Sequence, residues 1–241
     1  MSVMPYAIEP IVSLENVRNS SHVTHTHWGE LLCRLDPFPH DKKTWRVWYA
    51  SMCNMVEDVL CKYKLDRISI NLDSSQIMDK QIIKSIASLA DYPIAIEWTE
   101  NMYRDVHLSE LITVGKVLER IRSRHAIPII LDDIGSGEDT FRRLCAISPD
   151  VVKIDGEVFH LARGNTRITD LLAEKVHIHK QSGVETVIEW IETIQDLDLA
   201  LNLGAKWAQG YLWDESFFPL TTTTLNSWEY SGSVISAGAP R

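Results

Sequence analysis

The sequence predicts a single α/β domain built as a (β/α)8 barrel, and three observations carry that prediction. Short apolar, strand-like runs alternate with amphipathic helical stretches along nearly the whole chain, and such alternation builds a parallel sheet. The length of 241 residues suits one closed barrel of about eight strand–helix units. The strand-like runs also end, one after another, in a carboxylate, an amide or a lysine, as strands do when they deliver polar groups to a barrel's C-terminal rim.

Composition narrows the partners. Apolar residues make up 45% and charged residues 24%, ordinary for a globular protein with a sizeable core. A formal net charge of −9 without a basic stripe argues against a nucleic acid polymer as partner. Cys33, Cys53, Cys61 and Cys145 show no CxxC pairing and read as core thiols of a reducing compartment. The start, Met1 to Pro5, lacks a basic region followed by an apolar stretch, and no window reaches membrane-spanning length. A cytoplasmic protein without a membrane partner is expected. Residues 1–220 form the expected domain, and 221–241, rich in Thr, Ser and Gly, a weakly ordered C-terminal tail.

Taken in order, Tyr6 to Glu15 reads as a strand. His22 to Leu35 alternates, with Glu30, Leu32 and Arg34 on one face and Leu31 and Cys33 on the other. Glu30 and Arg34 there suit either a polar pocket or a surface ion pair. His22, His25 and His27 precede Glu30 without a partnering cysteine and are not read as a metal site. Lys43 to Lys64 has helical spacing, its stripe running through Trp45, Trp48, Met52, Met55, Val56, Val59 and Tyr63. A strand from Arg67 to Leu72 follows, and Ser74-Ser75 caps a helix to about Leu89. Tyr92 to Trp98 is a strand, Leu108 to His125 an amphipathic helix, and Pro128 opens the next strand. A short helix from Asp139 to Ala146 leads to the strand at Val151 to Asp155. Thr166 to Ser182 is helical, Glu185 to Glu192 a strand, Gln195 to Leu203 a helix ending at Gly204, and Trp207 to Tyr211 the last strand.

The chain is organised around Ile129-Ile130-Leu131-Asp132-Asp133-Ile134-Gly135, where an apolar run stops at two adjacent acids. Two consecutive carboxylates at a strand end are costly unless a cation sits between them, and a divalent metal is the usual answer. Other strand ends add Glu30, Asn71, Glu97, Lys153, Glu189 and Gln209. Each alone suits a solvated loop as well as a site. Together the carboxylates and the asparagine oxygen can hold two hard divalent ions, the arrangement that in-line attack on a phosphodiester uses. Oxygen donors of this kind favour Mg²⁺ or Mn²⁺; Ca²⁺ is expected to bind but to inhibit turnover.

These stretches resemble the EAL-domain phosphodiesterases, which hydrolyse the bacterial second messenger cyclic di-GMP. Glu30-Leu31-Leu32-Cys33-Arg34 stands at the signature Glu-Ala-Leu-x-Arg, Asn71 at a strand asparagine, and Glu97-Trp98-Thr99-Glu100 at Glu-Leu-Thr-Glu. Asp132 to Gly137 stands at Asp-Asp-Phe-Gly-x-Gly, Glu189-Trp190-Ile191-Glu192 at Glu-Gly-Val-Glu, and Lys153-Ile154-Asp155 and Gln209-Gly210-Tyr211 match outright. The likeness runs from about residue 6 to 220 and implies a modified TIM-type (β/α)8 barrel in a single domain.

The resemblance also implies roles. Glu30, Asn71, Glu97 and Asp132 would bind one metal, Asp133 would help hold the second, and Glu189 would share in the metal site. Lys153 and Glu189 would position and polarise the attacking water. Gln209 would support the metal shell on the substrate side, Arg34 would grip a ligand phosphate, and Asp155 would lie at the edge of the nucleotide site. Glu100 would anchor the loop after Asp133, and the segment from Gly135 to Phe141 would lie at a homodimer contact. The departures are Leu31 for alanine, Ile134 for phenylalanine, Glu138-Asp139-Thr140 for an aromatic and two serines, and Trp190 for glycine. The implied reaction is hydrolysis of cyclic di-GMP to linear pGpG. The competing reading is a degenerate relative that senses the nucleotide or binds a protein without turnover.

Overall fold

A computed structural model describes residues 6–15, 28–35, 38–100, 107–135 and 140–213. The expected tail and the three early histidines lie outside these residues, as do residues 136–139 of the expected dimer segment.

Eight strands close into one barrel in sequence order. They are β1 (Tyr6–Ser13), β2 (Trp28–Cys33), β3 (Arg67–Leu72), β4 (Ile94–Trp98), β5 (Ile129–Ile134), β6 (Val151–Ile154), β7 (Glu185–Ile188) and β8 (Trp207–Gln209). Strands β2 to β8 pair in parallel, as expected, but β1 runs antiparallel to both β2 and β8. The all-parallel sheet expected from the alternation is thus corrected at one strand. An apolar run such as Ile8 to Leu14 carries no direction; its neighbours decide, and here an inverted β1 closes the ring.

The described helices are α1 (Lys42–Cys53), α2 (Val56–Tyr63), α3 (Ser74–Ile77), α4 (Lys80–Ala87), α5 (Leu108–His125), α6 (Thr140–Ala146), α7 (Gly156–Leu161), α8 (Thr166–Gln181) and α9 (Ile194–Leu203). Two expected helices are each split in two. The Lys43 to Lys64 stripe breaks at Asn54, whose side-chain amide donates to the Ala50 carbonyl and so competes with continuation of the helix. The helix expected to run to Leu89 breaks at Asp79, which restarts it by accepting from the Gln81 and Ile82 amides. Asp73, rather than the serines, caps α3, in a reciprocal capping box with Gln76. Strand β7 ends at Ile188, so Glu189 to Glu192 belong to the rim and not to the strand.

Period-two alternation sorts the strands into an outer and an inner face, apart from the end of β5. Outward side chains such as Leu31, Ile70, Ile96 and Leu131 join the core between barrel and helices. Leu31 therefore points away from Glu30, as the alternation predicts. Inside the barrel, Ile11, Trp28, Ala95, Ile130, Val151 and Val187 pack as an apolar floor, with Trp207 edge-on to Trp28. Among the described residues no helix is long and apolar enough to cross a membrane.

Candidate active site

Two residues beyond that floor, on the same inner faces, stand Glu30, Glu97, Asp132, Lys153 and Gln209, all buried. Asn71 and Glu189 complete the layer, Asn71 in register with Glu97 on the neighbouring strand. The apolar floor seals one end, so the charged groups are held in a largely buried layer below the C-terminal rim.

Lys153 is the hub. Its ammonium lies 2.6 Å from Glu97 Oε1, 2.7 Å from Glu189 Oε1, 3.0 Å from Glu30 Oε2 and 3.2 Å from Asp132 Oδ1. Burial works against its charge, but Asp132, Glu189, Glu30 and Glu97 overcome it and hold the lysine well above its ordinary pKa. Gln209 and Asn71 brace Glu30 from either side, donating at 2.8 Å and 2.6 Å. Burial raises the Glu30 carboxyl; Lys153 and these two amides outweigh it and bring the pKa below the usual range. Glu97 and Glu189 go the other way. Burial pushes both well up, helped by Glu30 at Glu97 and by Asp132 at Glu189, against the pull of Lys153.

Consecutive strand residues ordinarily face opposite ways, yet Asp132 and Asp133 share this site. The β5–β6 register shifts between Leu131 and Ile134, and Asp133 sits in the left-handed region at φ +53°. Such a bulge re-aims a side chain at a functional rim. Carboxylate oxygens of Asp132, Asp133 and Glu189 consequently lie within 4.8 Å of one another. Burial, then the charge of Asp132, raises the Asp133 carboxyl to about 7.

The donor set fits hard cations. Four carboxylates surround one ammonium; Glu97 Oε2, Asn71 Oδ1 and Gln209 Oε1 are buried acceptors without a hydrogen-bond donor, and Asp132 Oδ1 has only the ion pair with Lys153 at 3.2 Å. Buried oxygens are rarely left so, and all four are the oxygen types that Mg²⁺ or Mn²⁺ takes. A second group, His160, Glu192 and Asp196, also brings ligand atoms together. There Arg163 already binds both oxygens of Asp196 and reaches Glu192, so its charge is met.

The remaining expected residues stand at the edges. Arg34 is exposed and pairs with Glu9 at 3.2 Å, not with the cage. Asp155 caps α7, accepting from the Glu157 and Val158 amides, a helix the sequence reading did not include. Glu100 lies 3.5 Å from Arg143 Nη2, beside the ends of β4 and β5.

Two residues were missed. Glu9 accepts from Gln209 Nε2 at 3.1 Å and reaches the rim because β1 runs backwards, which strand direction alone conceals. Arg143, from α6, is buried and donates to the Trp98 carbonyl at 2.7 Å and the Asp132 carbonyl at 2.8 Å. It clasps the ends of two strands at the bulge. In sequence it is half of an unremarked Arg142-Arg143 pair.

The comparisons agree with this architecture. The EAL domain family model matches residues 46–216. The chain belongs to the EAL domain family. The match takes in Asn71, Glu97, Asp132, Asp133, Lys153, Glu189 and Gln209; Glu30 and Arg34 precede it. Among curated relatives, the probable cyclic di-GMP phosphodiesterase PdeA of Escherichia coli K12 is 26% identical over 158 residues, 63% of this chain and 21% of that protein. The cyclic di-GMP phosphodiesterase TpdA of Vibrio parahaemolyticus is 27% identical over 158 residues, 64% of this chain and 26% of that protein. The chain thus spans about a quarter of the length of such relatives. A standalone EAL protein from Vibrio cholerae O395, solved with c-di-GMP bound, superposes with a TM-score of 0.68 at 17% identity, covering 86% of this chain and 90% of that one. That likeness establishes a shared EAL barrel.

The raised Asp133 carboxyl gives this EAL barrel a pH signature. Between about pH 4 and 7 the folded, metal-free chain keeps a proton that the unfolded chain has released, so stability falls as pH rises. Glu30 is lowered and Lys153 raised beyond its ordinary range, so neither reverses that slope, whereas His179, lowered by burial, opposes it as pH falls below about 6.5. Comparison with Asp133→Asn isolates the group: in EDTA the stability of wild type relative to that variant should rise as pH falls from about 7 towards 5, by at most about 1.4 kcal/mol per pH unit. A difference that stays flat or falls would contradict the assignment.

Proposed function

We propose that this chain hydrolyses cyclic di-GMP to linear pGpG, with two Mg²⁺ or Mn²⁺ ions held by the cage around Lys153. The observation that carries the reading is that cage: four carboxylates on one ammonium, with buried carboxylate and amide oxygens left without donors. Membership of the EAL family and relatives named as cyclic di-GMP phosphodiesterases support the choice of substrate.

Glu30, Asn71, Glu97 and Asp132 would hold one ion; Asp132, Asp133 and Glu189 would hold the other. Bound there, divalent ions lower the pKa of water and screen the anionic phosphodiester from its nucleophile. The water oxygen attacks phosphorus, the bond from phosphorus to the 3′-oxygen breaks, and that oxygen leaves as a hydroxyl, the proton it takes up balancing the one the attacking water gives up. Glu189 accepts from the attacking water, and Lys153, held as an ammonium, donates to the oxygens around it. Gln209 keeps Glu30 oriented, and Arg34 at the rim offers a cation to the second phosphate.

The test is product formation from cyclic di-GMP in Mg²⁺, Mn²⁺, Ca²⁺ and EDTA. Turnover should require Mg²⁺ or Mn²⁺ and fall by about tenfold or more in Ca²⁺, whose longer and looser coordination misplaces the nucleophile. Activity that survives EDTA would sink the two-metal reading. Tight binding with no product in any metal would make the chain a sensor of the nucleotide instead.

A further inference from the structure

We infer that Trp190 is the shelf on which a purine base of the substrate stacks, an inference that rests on the cyclic dinucleotide reading above. Trp190 directly follows Glu189 on the C-terminal rim. Its φ of +57° lies in the left-handed region, where a bulky L-residue is strained. Strain of this kind persists only where the surroundings over-determine it, and it clusters at functional sites.

The surroundings do so here. A Cβ on Gly156 would come within 2.0 Å of Trp190 Cγ, so the bare glycine is what lets the indole lie against the start of α7. The His160 ring stands edge-on to it, with centroids 5.5 Å apart. The next residue is tied to the strand bearing Gln209, Ile191 N donating to the Gln209 carbonyl at 3.0 Å. The indole is therefore fixed, yet Trp190 stays 45% exposed. Burial does not account for a large aromatic kept in that backbone conformation. A rigid, half-exposed ring one residue from the carboxylate at the reacting phosphate is placed to meet the nucleobase that flanks such a phosphate. Base stacking on an indole needs only a π-face and tolerates modest differences in base identity.

The test compares wild type with Trp190→Phe, Trp190→Leu and Trp190→Gly. Cyclic di-GMP and 5′-GMP are titrated calorimetrically in Ca²⁺, kcat and KM for cyclic di-GMP are measured in Mn²⁺, and Mn²⁺ affinity is measured alone. Losing the shelf in Trp190→Leu should weaken nucleotide binding and raise KM by about tenfold or more. Its kcat and Mn²⁺ affinity should stay near wild type, and Trp190→Phe should recover most of the binding. A merely structural Trp190 would move Mn²⁺ affinity and would not separate Phe from Leu. Wild-type binding by Trp190→Leu, equal losses in Phe and Leu, or tighter binding by Trp190→Gly would overturn the shelf. Wild type that binds either nucleotide with this Trp190 dependence but forms no product keeps the shelf and loses the phosphodiesterase reading. Product formed with a KM that ignores Trp190 does the reverse, and binding of neither nucleotide ends both.

Discussion

Glu97→Gln should lower turnover of cyclic di-GMP by about two orders of magnitude or more, corresponding to ~2–3 kcal/mol of transition-state stabilisation. The substitution keeps volume and shape but removes one anionic ligand from the cage that, on the proposed reading, holds the two cations. Glu97 is fully buried, and its Oε2 has no donor while Oε1 faces Lys153 at 2.6 Å. The fold should survive. Burial, and after it the charge of Glu30, already push the Glu97 carboxyl towards its neutral form, so a neutral amide costs the metal-free chain little. Its melting temperature in EDTA should hold or rise, while the stabilisation gained on adding Mn²⁺ shrinks. Product formation is compared at matched circular dichroism. Equal rates for the two proteins would remove Glu97 from the metal site.

Much of this site could be read from the chain because a parallel strand fixes both the period and the end at which chemistry appears. Glu97, Asp132, Lys153 and Gln209 are each the inward residue nearest a strand's C-terminal end, two positions past an apolar floor residue. What resisted reading had no such period. Glu9 enters the same layer from the N-terminal half of β1, and only the antiparallel pairing with Glu30 reveals it. The meeting of Asp132 with Asp133 depends on a bulge and a left-handed residue, which composition does not announce. Asp155 has a second role that the sequence reading passed over: it is the N-cap of α7, accepting from the Glu157 and Val158 amides. Arg143 left no signal. Strand-end carbonyls at a barrel rim need donors, but nothing in the chain says which residue will supply them.

That clasp yields the other large effect. Arg143→Met would strip the donors from the Trp98 and Asp132 carbonyls in the interior, costing about 3–5 kcal/mol and about 10 °C of melting temperature. A loss of that size alone would say only that a buried guanidinium is structural. Arg143→Lys separates the roles. A lysine retains the cation beside Glu100 but is a compact point charge, unable to span two carbonyls with the fixed fork of a guanidinium. The peptide between Asp132 and Asp133 is what that fork holds, and Asp133 keeps its left-handed φ only while its neighbours fix it. In the lysine variant the barrel should stay folded with a modest fall in melting temperature. The Asp132–Asp133–Glu189 group should loosen, weakening Mn²⁺ binding and lowering kcat by about tenfold or more, because a small misplacement near the reacting atoms is enough. Binding of cyclic di-GMP should change less than kcat. A lysine variant with wild-type kcat and Mn²⁺ affinity would reduce Arg143 to a packing residue and leave the bulge to be held by β5 and β6 alone.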